Sequence, residues 1–472
     1  MKKFLQRLLP GLLVLLSIHS FSQLRLPSIL QSGMVLQQKD SVLLWGWAGP
    51  SEKVTVTTSW NKQQYSTNAS DLAKWKLKVQ TPAAGGPYSI SISSRNTIVL
   101  EDVLIGEVWV CSGQSNMEWS FLNGVKDIAT EFPQAKNSSI RLFHVNKTGA
   151  DYPQEDLKAN WVPCDSNQLK SFSAVGYFFG KKLQEELKVP IGLINVSWGG
   201  TPAEAWTPED VIAADPILKT AAAKQNKVAW WPTAPGKAFN GMIAPILQHT
   251  IAGVIWYQGE SNTGTYSTYQ QLFTKMIDSW RSAWNKQLPF YFVQIAPFKY
   301  GTTGIGALLR EAQQASAGHP GTGMVVITDL VDTVTDIHPS RKKPVGYRLA
   351  NYALAETYKL PIEGYKSPEY SSSTIDKGKI LVKFRNAEKG IRINGTKASG
   401  WLISDLEGIN WISPQVKIEK NTVVLWHPDL KNPMYIRYGF GNTSIGNMES
   451  VQGLPLAPFR TDHLPIEQVP EK

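Results

Sequence analysis

Cysteine is nearly absent: Cys111 and Cys164 are the only two in 472 residues. Two thiols exclude a disulfide-stapled scaffold and a cysteine-built metal cluster, and they leave one bridge open if the compartment is oxidising. Beyond residue 22 no apolar run is long enough to cross a bilayer, which excludes membrane insertion by a helix. Basic blocks are missing as well. The formal charge is +10, but the longest cluster is Arg341-Lys342-Lys343. Scattered charge of this kind makes a mildly basic surface and not a nucleic-acid stripe. Charged residues make up 18% of the chain and hydrophobic ones 42%, which excludes a disordered chain and provides for a sizeable core. No internal repeat or low-complexity tract occurs.

What is present begins with a leader. M-K-K-F-L-Q-R is basic, L-L-P-G-L-L-V-L-L-S-I is apolar but too short to span a membrane, and small residues follow near Ser22. This predicts a secretory signal peptide over 1–22 and a periplasmic or secreted protein, and no cysteine follows to carry a lipid anchor. The remaining length predicts more than one domain. Residues 23–100 alternate apolar and polar positions (Val54 and Val56; Trp75, Leu77 and Val79; Tyr88, Ile90 and Ile92), punctuated by Gly-Pro and Gly-Gly. That is the pattern of an all-β module, a small sandwich.

Over 101–364 the texture becomes α/β. Continuous apolar strands are predicted at Ile191–Val196, Ile251–Tyr257, Phe290–Ile295 and Met324–Thr328. Helices are predicted at 173–188, 266–284 and 340–358. Such strands, separated by helices, indicate a parallel sheet covered on both faces. Alternation returns over 365–472, at Ile380, Val382 and Phe384 and at Val423 and Leu425, predicting a C-terminal β module.

In a doubly wound sheet the site lies at the carboxyl ends of the strands. Four predicted strands each lead into small or polar residues: Gly113-Gln114-Ser115-Asn116, Ser197-Trp198-Gly199-Gly200-Thr201, Gln258-Gly259-Glu260-Ser261-Asn262, and Asp329 with Asp332, Asp336 and His338. These side-chain types support acyl transfer. Ser115 is the candidate nucleophile and His338 the base that takes and returns its proton. Candidate oxyanion donors are the N–H groups of Ser115 and Gly200 and the amide of Gln258 or Asn262. Gln114, Asn116, Glu260 and Trp198 are candidate substrate contacts, although Glu260 also reads as a buried carboxylate orienting its loop. Trp119, Trp198, Trp206 and Trp256 fall near these loops as core or as a platform for a sugar ring.

Together, G-Q-S-N-M at 113–117, S-W-G-G-T-P-A-E-A-W at 197–206, W-Y-Q-G-E-S-N at 256–262 and D-I-H-P at 336–339 resemble the sialate O-acetylesterases of the SGNH hydrolase superfamily. M-V-L-Q-Q at 34–38 and G-L-P-L-A-P-F-R-T-D at 453–462 extend the likeness across nearly the whole chain after the leader. The resemblance implies a flavodoxin-like three-layer sandwich with a parallel sheet, flanked by all-β domains. It implies hydrolysis of acetyl esters on sugar hydroxyls without metal or cofactor, with Ser115 as nucleophile and His338 as base. One position departs from the superfamily pattern, which has an acid three residues before the histidine. Here that residue is Thr335, and Asp336 lies two before. Asp336 is the favoured acid, with Asp332, Asp329 or a Ser–His dyad as alternatives. The third block lacks the usual Asn-Asp pair, so Gln258 is favoured over Asn262. Two other classes stay open: a glycosidase using Glu204 and Glu260, which needs both carboxylates across one cleft, and a non-catalytic glycan-binding protein.

Overall fold

The alternating strands of the first module form as the sequence predicts. Lys74–Gln80 buries Trp75, Leu77 and Val79 while its lysines face solvent, and it pairs antiparallel with Ser41–Trp47. Lys53–Thr58, Gln64–Asn68 and Gly85–Ser93 form a second antiparallel group. The computed structural model describes residues 23–419 and 421–470. The predicted leader, 1–22, lies outside the described residues.

The strand that leaves this module is the axis of the molecule. Thr97–Gly113 is 17 residues long. Its first half pairs with Gly85–Ser93 and Val35–Gln37, and its second half runs through the middle of the parallel sheet. The two modules therefore share one hydrogen-bonded backbone. Across the sheet the order is Thr322–Val325, Phe290–Val293, Gly253–Tyr257, Thr97–Gly113, Ile191–Ser197, Asn137–His144 and Trp161–Cys164. All are parallel except the last, an antiparallel edge. The chain lays its early strands on one side of Thr97–Gly113 and its late strands on the other. This reversal opens a crevice at the carboxyl end of the central strand.

Successive residues of the strands enter opposite cores. Val108, Val110, Val254 and Trp256 pack under Tyr269, Phe273 and Trp280 of the helix Tyr266–Trp284. Trp109, Cys111, Ile255 and Tyr257 pack under Val175 and Phe179 of Ala174–Leu187 and Val345 and Leu349 of Lys342–Tyr352. Burying a side chain of this size contributes ~1.5–3 kcal/mol, so continuous apolar strands are stable only where both faces are covered. The α/β fold with three layers is thus borne out. The predicted helix over 173–188 is Ala174–Leu187, with the Ser173 hydroxyl accepting from Gly176 N–H at its start. The predicted last helix is shorter: Lys342–Tyr352 passes into a wider π-turn, Ala353–Thr357. Likewise, the strand predicted over 324–328 is Thr322–Val325, because the chain turns at Thr328–Leu330 to present its aspartates.

The C-terminal part is antiparallel, led by a sheet in the order Glu369–Asp376, Lys379–Arg385, Thr422–Trp426, Gln415–Glu419. It has its own core around Ile380, Val382, Val423 and Leu425. Arg460 joins it to the helix Ile305–Ser316 through a two-pronged pair with Glu311. Cys111 and Cys164 are buried free thiols, and no disulfide joins them. No helix of the described residues is long and apolar enough to cross a membrane.

Candidate active site

The central strand ends at Gly113, where φ is +135° and a Cβ would stand 2.2 Å from the Tyr257 carbonyl oxygen. Only glycine lets the two neighbouring strands close at this point. Gln114 N–H then donates to Tyr257 C=O, and the chain turns at once into the short helix Ser115–Glu118. The serine is thereby carried over the crevice by the most deeply anchored strand of the sheet.

His338 arrives from the loop after the last strand, 223 residues away, and its Nε2 lies 2.9 Å from Ser115 Oγ. A hydroxyl on an imidazole nitrogen is the geometry of a serine whose proton has an acceptor. The imidazole is held on several sides. Trp119 stacks on it with ring centroids 3.7 Å apart and planes 17° from parallel. Asp336 Oδ1 accepts from the His338 backbone N–H at 2.9 Å and stands 3.6 Å from Nδ1, beyond hydrogen-bond length. Of the other aspartates, Asp329 is clamped by the two terminal guanidinium nitrogens of Arg348, and Asp332 accepts from Ser340 N–H. Only Asp336 therefore approaches the ring. Burial, reinforced by the Lys342 charge and opposed by Asp336, pulls the His338 pKa down to about 4.

Gly199 and Gly200 form the facing wall. A Cβ on Gly199 would meet Ser115 Cβ at 3.3 Å. Gly199 N–H is held by Glu118 Oε2 at 2.5 Å, and Lys147 holds the other oxygen of that carboxylate. The N–H groups of Ser115 and Gly200 have no partner among the described residues. Gly200, with φ +82°, turns the chain at this corner, and its carbonyl accepts from Ser261 Oγ at 2.9 Å.

The predicted amides divide in two. Gln258 and Asn262 are fully buried and bonded to their surroundings. Gln258 Nε2 donates to Asn262 Oδ1 at 2.7 Å, and Asn262 Nδ2 donates to Glu204 Oε2 at 2.8 Å. They pin the third loop under the site, with no N–H to spare toward a substrate beyond those bonds. Gln114 Oε1 accepts from Gly259 and Ser261 N–H groups, while its Nε2 donates to no described residue. Asn116 is buried and ties three loops together. Its Nδ2 donates to Glu260 Oε1 at 2.6 Å and to Ile337 C=O at 3.0 Å, and its Oδ1 accepts from Lys342 Nζ at 2.6 Å. Glu260 is an orienting carboxylate, its pKa raised by burial. Glu204, the other acid of the glycosidase reading, is likewise buried, holding Asn262 and Gln225. Trp206 and Trp256 are core, and Trp198 is half-buried, its backbone N–H bonded to Gly113 C=O.

Lys342 escaped the sequence reading because it sits in the basic cluster Arg341-Lys342-Lys343. It is fully buried over the Tyr257 ring, 5.3 Å from the centroid, and burial lowers its pKa to about 8. The signal was the spacing of Lys342, Val345 and Leu349, which puts all three on one helical face. Among the described residues no group of three or more His, Cys, Asp or Glu is placed to hold a metal ion.

A doubly wound sheet whose central strand delivers a serine hydroxyl to a histidine is the frame of a carboxylic ester hydrolase. Residues 105–355 match the family described as carbohydrate esterase, sialic acid-specific acetylesterase. The chain is 32% identical over 376 residues to the sialate O-acetylesterases of Homo sapiens and Pongo abelii, covering 71% of this chain and 71% of each relative. It also matches the crystal structure of a carbohydrate acetylesterase from Xanthomonas citri, at 32% identity and a TM-score of 0.85 over 94% of this chain and 100% of that one. The chain belongs to the sialic acid-specific acetylesterase family of carbohydrate esterases.

Proposed function

We propose that the protein is an exported serine esterase that removes O-acetyl groups from sugar hydroxyls, sialic acid among them, through an acyl-enzyme. Ser115 Oγ attacks the acetyl carbonyl as His338 Nε2 takes its proton. The carbonyl oxygen becomes an oxyanion held by the N–H groups of Ser115 and Gly200, with the unpartnered Nε2 of Gln114 as a further candidate donor. His338 returns the proton to the sugar oxygen, and the ester bond breaks. The acetyl group stays on Ser115 until water, deprotonated by the same imidazole, releases acetate. Trp119 and Asp336 keep the ring aimed through both steps.

The contact between Ser115 Oγ and His338 Nε2 carries this reading. The sialic acid preference rests on the family and on the names of the curated relatives. Export rests on the pattern of residues 1–22, and N-terminal sequencing of protein recovered outside the cytoplasm checks it. The decisive assay is acetate release from a chromogenic acetyl ester and from 9-O-acetylated sialic acid. Ser115→Ala is expected to lower kcat by about a million-fold, the scale of losing an acting nucleophile. Retention of even a few per cent of wild-type activity would remove Ser115 from this role.

A further inference from the structure

Beside the oxyanion corner lies a pocket of about 740 Å³ that the motifs do not reach. It is built from residues 209–237, which follow the second block, and from the loop at 149–151. Trp231 joins it to the chemistry. A Cβ placed on Gly200 would meet three ring atoms of Trp231 at 2.3–2.6 Å, so the indole lies flush against that backbone. Gly199, one residue earlier, lies against Ser115 in the same way. Only the Gly199–Gly200 step separates nucleophile and indole.

The lining is chemically two-sided. Val228 and Ala213 extend the apolar surface of Trp231, while Lys219 and Lys227 bring N–H donors and Glu209 an acceptor. Lys237, at the rim, is paired with Asp151, whereas Lys219 and Lys227 make no ion pair among the described residues. An aromatic wall with a few polar groups, in a volume of ~300–1,000 Å³, is the usual make-up of a small-molecule site. A pyranose ring has matching sides, an apolar C–H face and a rim of oxygen acceptors. We infer that this pocket binds the sugar ring that carries the acetyl ester, with Trp231 as the stacking platform and specificity determinant.

This inference rests on the acetylesterase reading, and a pair of substrates separates the two. Ethyl acetate presents an acetyl ester with no ring. Acetylated xylooligosaccharide and 9-O-acetylated sialic acid present rings, and the one that wild type hydrolyses faster is carried forward. Trp231→Ala is expected to lower kcat/KM on the ring ester at least tenfold, mainly through KM, with ethyl acetate turnover changed less than twofold. Trp231→Phe is expected to keep most of the activity. Ala213→Trp, which adds an indole at another residue of the pocket lining, is expected to repeat the selective loss. Equal losses of both substrates would mean that the indole only props Gly200, and no loss on the ring ester would mean that no ring stacks there. Either result overturns the subsite while leaving the esterase reading intact. Wild-type enzyme that releases acetate from neither substrate overturns the esterase reading and the subsite together.

Discussion

Asp336 stands 3.6 Å from His338 Nδ1 on a half-exposed loop, bonded instead to the His338 backbone N–H. In a tight triad, amidating the acid costs about 10⁴-fold in kcat because it forces the wrong tautomer. Here the ring is also fixed by Trp119 and by the loop's own backbone. We expect Asp336→Asn to lose less than about 10³-fold in kcat, and a loss near 10⁴-fold would mean the carboxylate closes on Nδ1 during catalysis. The pH profile belongs at the same scale. The base must be neutral, and with its pKa near 4 it stays neutral well into acid. The acid limb of kcat/KM is therefore expected near pH 4, below the ordinary histidine range. Lys342 contributes to that depression, so in Lys342→Met the imidazolium persists to higher pH and the limb moves up. A limb that stays in place or moves down would deny the coupling.

The turn after the central strand governs the element scale. At Gly113 a side chain would collide with the Tyr257 carbonyl, and the backbone lies in the left-handed half of φ space. Gly113→Ala is expected to cost ~3 kcal/mol or more, from strain plus overpacking, read as a lower urea midpoint with unchanged slope. Much at this scale was legible. Alternation in Trp75-Leu77-Val79 and continuous apolar strands such as Ile191–Val196 follow from which faces must be buried. The helix Ile305–Ser316 was not read, nor were the short helices at 209–222. The latter owe their place to packing beside the crevice more than to a strong periodic signal of their own. The roles of Gln258 and Asn262 were equally hidden, since an amide's sequence position does not say which neighbours claim its N–H groups.

For the whole molecule, His249 is a seam. It is fully buried, and its Nε2 meets the Val35 carbonyl of the first module at 3.1 Å, while its own carbonyl accepts from Trp284. Burial holds its pKa at about 4. The sign follows from proton counting. Between pH 4 and 6.5 the unfolded chain binds a proton at this residue that the folded chain refuses, so stability falls as the pH drops through that window. Such a shift corresponds to about 3 kcal/mol at the low end. His249→Gln, which keeps a donor but does not titrate, is expected to flatten that part of the stability curve in urea titrations at pH 4 to 7. An unchanged slope would place the acid sensitivity elsewhere.

The order of residues by itself determined the α/β class with its flanking β modules, the four loops, and the pair Ser115 and His338, because hydrophobic period and turn chemistry are local properties written along the chain. Only the tertiary structure decided which groups near that pair are free and which are bound. It left N–H groups at Ser115, Gly200 and Gln114, tied Asn116, Gln258 and Asn262 into the loops, buried Lys342, and set Trp231 against Gly200. Those outcomes depend on distances between elements far apart in sequence, and a hydrogen bond or a ring contact exists only once packing has brought its two partners within reach.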